Sequence, residues 1–276
     1  MTLFHGSKQL DFAECPKCRQ VFIVTPVTDE ELSAAYATID AASYYETVAE
    51  TSAAKARVAV DDLLRMGLER PTVVDLGCGG GHFLRMARDA APGWTAVGYD
   101  IDSASVDLCR AAGLIATTSL AELPRADVVT MLDVAEHVKD QAGLFAEAAR
   151  LLGPGGRLYI HTPRRCVWDS AALLLVRASG LRGAGMLWLQ TRVSIYHLRL
   201  WSDESLRQAV TAAGFTIESF ERELELSWPL RTYVDVYLGE KIHAPRLAIR
   251  AADLAVMLFV RLRMMRNKAI VTARRA

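Results

Sequence analysis

The 276-residue chain lacks net charge, a paired set of cysteines and any long uninterrupted apolar run, and each absence removes a class of protein. Lys and Arg together number 32 and so do Asp and Glu, so no overall charge draws the chain to a polyanion. No uncharged apolar stretch reaches the roughly 18–20 residues of a transmembrane helix. Met1 to Glu14 has no apolar core of the signal-peptide kind, and a cytoplasmic protein is expected. The five cysteines, at 15, 18, 78, 109 and 166, are odd in number and scattered, which argues against a disulfide framework and fits a reducing compartment. Cys15-Pro16-Lys17-Cys18 has the spacing of half a zinc site, but a second pair is missing and only His5 precedes it, so no metal is assigned. There is no aromatic-basic stacking surface and no Asn-Pro-Pro-Tyr base-handling motif. No nucleic-acid partner is expected.

What is present is an apolar chain, 51% hydrophobic, long enough for one sizeable α/β domain with additions or for two small ones. Charge is unevenly placed: residues 241–276 hold nine Lys or Arg against one Asp. The organising stretch is Val73-Val74-Asp75-Leu76-Gly77-Cys78-Gly79-Gly80-Gly81-His82. A β-branched apolar run enters a glycine cluster, and Phe83 to Arg88 resumes with helical character, so the spacing predicts strand, tight loop and helix. Such a loop brings backbone N–H groups and a helix start against a ligand. A dinucleotide fingerprint would carry a third glycine where His82 stands, which weakens a pyrophosphate reading. Asp75, two residues before the first glycine, would repel phosphate but reach the ammonium of an amino-acid ligand, directly or through water.

Downstream, Thr95 to Tyr99 reads as a second strand closed by Asp100. This acid lies 23 residues after Gly77, where a βαβ unit places a carboxylate on a ribose. Asp102 competes for that role; Asp100 is preferred because it ends the apolar run, leaving Ile101 for an adenine face. Leu114 to Thr118 forms a third strand, followed by Ser119-Leu120. Ala126 to Leu132 is a buried-type fourth strand, Asp133-Val134-Ala135-Glu136-His137 follows it, and Gly153-Pro154-Gly155-Gly156 turns into a fifth strand.

The Asp-x-Gly-x-Gly-x-Gly loop resembles motif I of the Rossmann-like S-adenosylmethionine-dependent methyltransferases. The Asp-x-x-Glu-His segment and the Pro-Gly-Gly turn resemble those of the ubiquinone-biosynthesis O-methyltransferase type, and the four motifs stand in family order over residues 73–163. The resemblance implies a three-layer α/β sheet of order 3-2-1-4-5-7-6, a helical lid over residues 28–67 and a helical insertion before the last strand. It implies S-adenosylmethionine as cofactor, with Asp75, Gly77, Cys78, Gly79, Gly81, Asp100, Ile101, Ser119, Leu120, Leu132 and Asp133 around it. Members often have an acid where Ser119 stands. Val21 to Pro26, Asp29 to Leu32, Tyr36 and Tyr44-Tyr45 resemble the leader of relatives with a small zinc ribbon. Residues 1–27 are then a metal-free remnant, and 28–276 the methyltransferase domain. A plain helix packed on the sheet is the alternative to the lid.

Methyl transfer from a sulfonium is an in-line displacement, so the protein must hold the acceptor and, for a hydroxyl, take its proton. His137 is the leading candidate base, with His161 at the end of strand five and His197 as further candidates. The segment 164–200 exceeds an ordinary loop. Its apolar Ala171–Val176, the glycines 180, 183 and 185 and the bulk of Leu187, Trp188 and Leu189 point to a mobile element for a hydrophobic acceptor, or to a core extension. Within the second insertion, 231–265, Arg246, Arg250, Asp253 and Arg261 trace one stripe of a helix whose Leu254, Met257, Leu258 and Leu262 fall elsewhere. That helix would meet a membrane surface, form a homodimer interface or cover the substrate pocket. The expected reaction is methyl transfer to an oxygen of a small-molecule or lipid-linked acceptor. The alternatives are an NAD-dependent oxidoreductase or epimerase, disfavoured by His82 and by the lack of a Tyr-x-x-x-Lys pair, and a non-catalytic membrane-associated binding protein.

Overall fold

A computed structural model describes residues 2–5, 8–38, 40–178, 182–225 and 266–276. Its centre is β4 (Thr72–Leu76), whose Val73 and Val74 are fully buried on opposite faces. Parallel neighbours extend the sheet on one side through β5 (Thr95–Tyr99) and β6 (Ile115–Thr117), and on the other through β7 (Ala126–Leu132) and β8 (Leu152–Pro163). The chain closes with β10 (Phe215–Glu223) and β11 (Lys268–Arg275). The last of these inserts antiparallel between β8 and β10. In chain order of the sheet strands this is 3-2-1-4-5-7-6, as expected from the sequence.

Helices cover both faces. On one face α3 (Ala49–Arg65), α4 (His82–Ala90) and α5 (Ser103–Ala111) bury Ala56, Val60 and Leu63, Phe83 and Leu84, and Val106 and Cys109. On the other, α6 (Gln141–Leu151) and α9 (Asp203–Ala212) bury Phe145, Ala148, Leu206 and Val210 around Trp201. The strand order reverses between β5 and β7 about β4, so a crevice forms at the carboxyl ends of these strands.

The stretch read as helical over 28–67 is three helices rather than one. The Thr28–Glu31 capping box starts α1 (Asp29–Ala37). Asp40 caps the Ser43 N–H at 2.9 Å to begin α2 (Ala41–Thr47), and α3 then runs to its stop before Gly67, which sits at φ +70. Ahead of them β1 (Thr2–His5), β2 (Lys8–Glu14) and β3 (Val21–Ile23) form a small antiparallel sheet that β9 (Arg199–Leu200) completes from far along the chain.

Residues 164–200 hold α7 (Val167–Arg177) and α8 (Arg182–Leu189). Leu10, Phe12 and Val21 of the small sheet share one core with Ala172, Leu173, Val176 and Leu189. Two expectations change here. Gly185 does not confer mobility: a Cβ would stand 2.4 Å from the Ala172 carbonyl oxygen, so glycine is what lets α7 and α8 touch. Trp188 is not exposed bulk, because its indole N–H donates to the buried Asp169 at 2.8 Å. The insertion segment 231–265 lies outside the described residues. No described helix is long and apolar enough to cross a membrane.

Candidate active site

The glycine loop hangs over the end of β4. Gly77, Gly79 and Gly81 all have left-handed φ, and the Gly77 and Cys78 N–H groups both donate to the Tyr99 carbonyl, at 2.7 and 2.9 Å. A side chain at Gly77 would strike Val134 at 2.4 Å, which holds the loop tight against the segment after β7. Cys78 is buried, and Gly98 of β5 must lack a side chain to admit its sulfur, 2.6 Å from the Cβ position. Cys109 Sγ donates to the Gly79 carbonyl at 3.2 Å, so these two thiols pack the underside of the loop.

Three acids divide the work that the sequence left between them. Asp100 accepts from Gly79 N–H at 2.8 Å with one oxygen and from Asp102 N–H at 3.0 Å with the other. Burial pushes its carboxyl above the ordinary carboxylate range, outweighing the pull of these two donors. Asp102 instead caps α5, accepting from Ala104 and Ser105 N–H and from the Ser105 hydroxyl. Asp75 is 2% exposed and accepts from Thr130 Oγ1 at 2.7 Å; burial pushes it up to about 7 against the pull of that hydrogen bond. Ile101 is 86% exposed beside Asp100. Ser119 N–H donates to Thr117 Oγ1 at 3.0 Å, and the exposed Leu120 gives its carbonyl to Arg150. Leu132 is half-buried against the α3–α4 cluster.

The aromatic side chain of Tyr45 in α2, part of the leader-like segment, lies on this loop. The Tyr45 ring occupies the space that Cβ atoms at Gly79 and Gly80 would need, each 2.8 Å away. Ser105 spends its hydroxyl proton on Asp102, so Tyr45 donates to Ser105 Oγ at 3.0 Å. Segment 28–67 therefore covers the loop, as the lid reading required.

The histidines separate into two surroundings. His137 Nδ1 lies 2.6 Å from the Tyr196 carbonyl, which only accepts, so Nδ1 donates to it and Nε2 is the ring nitrogen left for other partners. Tyr36 Oη is 3.0 Å from the same Nδ1. Nε2 stands 3.6 Å from Oε1 of Glu136, a fully buried carboxyl whose other oxygen accepts from Thr162 and whose Oε1 has no hydrogen-bond partner. Burial holds Glu136 above the ordinary carboxylate range, with His137 opposing. His197 packs edge-on to His137 at 4.8 Å between ring centres; burial, with the charges of His137 and Lys268, pushes it down to about 3, so it is neutral at working pH. Glu136, His137 and His197 bring their ligand atoms within 4.8 Å of one another, a donor set suited to a divalent cation.

His161 is elsewhere in character. Its Nδ1 faces Asp133 at 3.1 Å and its Nε2 faces Glu225 at 3.5 Å, so both ring nitrogens are directed at carboxylates. Asp133, at φ 55, binds Lys55 of α3 and, at 2.7 Å, Lys268 of β11. Burial opposes its ionisation, yet Lys268, Lys55 and His161 hold it well below the usual carboxylate range. This cluster fastens the lid-bearing α3 to the sheet. Asp133 and His161 are committed to it, and neither presents a free polar atom of the kind the sequence reading had assigned to cofactor or acceptor.

Comparison with known proteins gives the family. The family description "Methyltransferase domain" matches residues 49–219. This chain belongs to the methyltransferase domain family. It is 30% identical over 153 residues to the "Probable S-adenosylmethionine-dependent methyltransferase" of Mycolicibacterium smegmatis, covering 53% of this chain and 52% of that protein. It is 28% identical over 184 residues to the ubiquinone biosynthesis O-methyltransferase of Rhizobium leguminosarum bv. trifolii, covering 61% and 70%. The chain thus spans about half the length of the Mycolicibacterium relative. Among solved structures, magnesium protoporphyrin IX methyltransferase of Synechocystis PCC 6803 with bound S-adenosylhomocysteine shares the fold, with TM-score 0.55 at 16% identity over 84% of this chain and 86% of that one. The methyltransferase fold favours methyl transfer over the NAD-linked and non-catalytic alternatives.

The methyltransferase cleft fits the methyl donor of its family. Its glycine loop packs so closely under Val134 and Tyr45 that no side chain fits at Gly77, Gly79 or Gly80, and Asp100 and the exposed Ile101 flank it. Asp75 supplies buried acidity beneath it. Asp75, Gly77, Cys78, Gly79, Gly81 and Asp100 meet in one place, with Ile101 at its rim. Glu136, from the Asp-x-x-Glu-His segment, and Tyr36 and Tyr45, from the leader-like segment, join the site without having been assigned to it, and Lys55, Lys268 and Tyr196 join it as well.

Proposed function

We propose that this protein transfers a methyl group from S-adenosylmethionine to an oxygen of a small-molecule or lipid-linked acceptor, with His137 as the general base. When bound, the cofactor supplies a methyl group on a positively charged sulfur that needs no further activation. Asp100 is set to accept from ribose hydroxyls while bracing the loop, Asp75 to balance an ammonium, and Tyr45 to shut water out above Gly79 and Gly80. The observation that carries the catalytic part is the fixed ring of His137: its Nδ1–H is tied to the Tyr196 carbonyl at 2.6 Å, which leaves Nε2 to take the acceptor's proton. Glu136, 3.6 Å from Nε2, is placed to stabilise the imidazolium that results. His197, neutral and packed edge-on against the ring, keeps a second positive charge away from it.

Similarity to ubiquinone biosynthesis O-methyltransferases supports an oxygen acceptor on an apolar molecule. Contact of 247–265 with a membrane, a homodimer built through it and a cytoplasmic location complete the proposal on sequence grounds alone. An acceptor screen with methyl-labelled cofactor, using lysate split into lipid, polar-metabolite and nucleic-acid fractions, tests it. Label is expected in the lipid or polar-metabolite fraction. Calorimetry with S-adenosylmethionine and NAD accompanies the screen, and binding of NAD without the sulfonium would overturn the reading.

A further inference from the structure

A second cavity of about 540 Å³ lies at the ends of β8 and β10, on the side of the sheet that α7 and α9 flank. Its described lining includes Arg19, Arg164, Arg165, Arg222 and Arg266, gathered from four separate places in the chain. Asp203 is its lining carboxylate among the described residues, and it is shared: Arg164 Nε binds one oxygen at 2.5 Å and Arg222 Nε the other at 2.8 Å. Arg19 and Arg165 both pair with Glu14, which also takes Arg177 from outside the cavity. Five guanidinium groups thus face two carboxylates. Three positive charges remain uncompensated among the described residues.

These pairs position the arginines without exhausting them. A guanidinium has five N–H donors, and Arg164 spends Nε on Asp203 and Nη1 on the Arg266 carbonyl. Arg266 itself makes no ion pair with a described carboxylate. The first turns of two helices of ample length line the same cavity, α7 through Val167 and Ser170 and α9 through Ser202 and Asp203, and their dipoles add to the positive potential. Forked, fixed donors around a tetrahedral oxyanion are what phosphate recognition uses. An exposed apolar stripe runs along α7 away from the cavity: Val167, which lines it, is 49% exposed, and Leu174, about 10 Å further along at a helical rise of ~1.5 Å per residue, is 65% exposed.

We propose that this arginine-lined cavity is a binding site for a phosphate ester, its phosphoryl oxygens held by Arg164, Arg222 and Arg266 and its organic part laid along Val167 and Leu174. The site is separate from the cofactor cleft. His161, on β8 three residues before Arg164, turns to the opposite face toward Asp133 and α3, and none of the glycine-loop residues lines the cavity.

Titration calorimetry of the full chain with inorganic pyrophosphate at low salt tests this. Saturable binding is expected, with affinity falling roughly tenfold or more for each of Arg222→Gln and Arg266→Gln as a charge-assisted contact is lost. Arg88→Gln, on α4, removes the same charge elsewhere and is expected to leave pyrophosphate affinity unchanged. An unshifted thermal unfolding midpoint shows that each variant is folded, and retained S-adenosylmethionine affinity shows that the cofactor cleft is intact. Vesicles of phosphatidic acid in phosphatidylcholine separate two sources of the phosphate. Sedimentation with them that pyrophosphate reverses assigns the cavity to a lipid headgroup, and no sedimentation beside normal pyrophosphate binding assigns it to a soluble ester. Absence of pyrophosphate binding, or equal affinity in wild type and both cavity variants, overturns the proposal.

Discussion

Asp75 gives the methyl-donor cleft a pH dependence that can be worked from the structure. Its carboxyl is fully buried, accepts one hydrogen bond from Thr130 and is pushed up to about 7. A folded value raised above the ordinary one near 3.8 means that this group's contribution to stability is full below that ordinary value and is lost as pH rises through about 7. Binding an ammonium beside it reverses the preference, since only the ionised carboxylate attracts the ligand. Its ionised fraction grows from about 0.09 at pH 6 to about 0.76 at pH 7.5, so cofactor affinity is expected to strengthen about eightfold across that window. The window ends below the range in which an α-amino group itself begins to lose its proton, near ~7.7. Calorimetry in buffers of different ionisation heat would also show a proton released on binding near pH 6.5. Asp75→Asn is expected to abolish the slope and the proton release and to weaken binding roughly tenfold at pH 7.5, the loss of one charge-assisted hydrogen bond. A flat affinity in wild type, or a slope that survives in the Asn variant, would refute the argument that Asp75 meets the ligand's charge.

Three further outcomes follow from the same geometry. His137→Gln is expected to lower turnover roughly 100-fold and to leave cofactor affinity intact; steady-state rates beside cofactor calorimetry check this, and an unchanged rate at saturating acceptor removes His137 as the base. Gly77→Ala must hold an alanine at φ +78, at a cost of about 1–2 kcal/mol, and meets Val134 at 2.4 Å. A lowered unfolding midpoint that Val134→Ala partly restores is the expected result, and no shift would mean the loop is not so confined. Lys55→Met leaves the Asp133 carboxylate short of one partner in its largely buried cluster, and a destabilisation of about 3 kcal/mol in denaturant unfolding is expected. A change within error would show that α3 is held by its apolar face alone.

Much of the fold is legible in the chain because its signals are local. A β-branched run, a glycine cluster with an acid ahead of it and an acid closing the next strand each dictate their own backbone. Asp100 and Asp102 could be ranked from the end of an apolar run: Asp102 caps the next helix as expected, and Asp100 braces the glycine loop. For Asp133 and His161 the sequence shows only that both stand at strand ends over the cleft. Their chemistry is set by Lys55, 78 residues before Asp133, and by Lys268, 135 residues after it.

Sequence alone therefore determined the strand-loop-helix at the methyl-donor loop, which follows from short-range pattern and turn geometry, and the motif order whose family resemblance implied the sheet order. Tertiary structure decided which histidine keeps a free nitrogen, which acid is buried to near neutrality, and that Tyr45 seals the glycine loop. It also brought five arginines together around one cavity. Proton affinity and charge balance depend on burial and on neighbours distant in the chain, and no local pattern of residues encodes them.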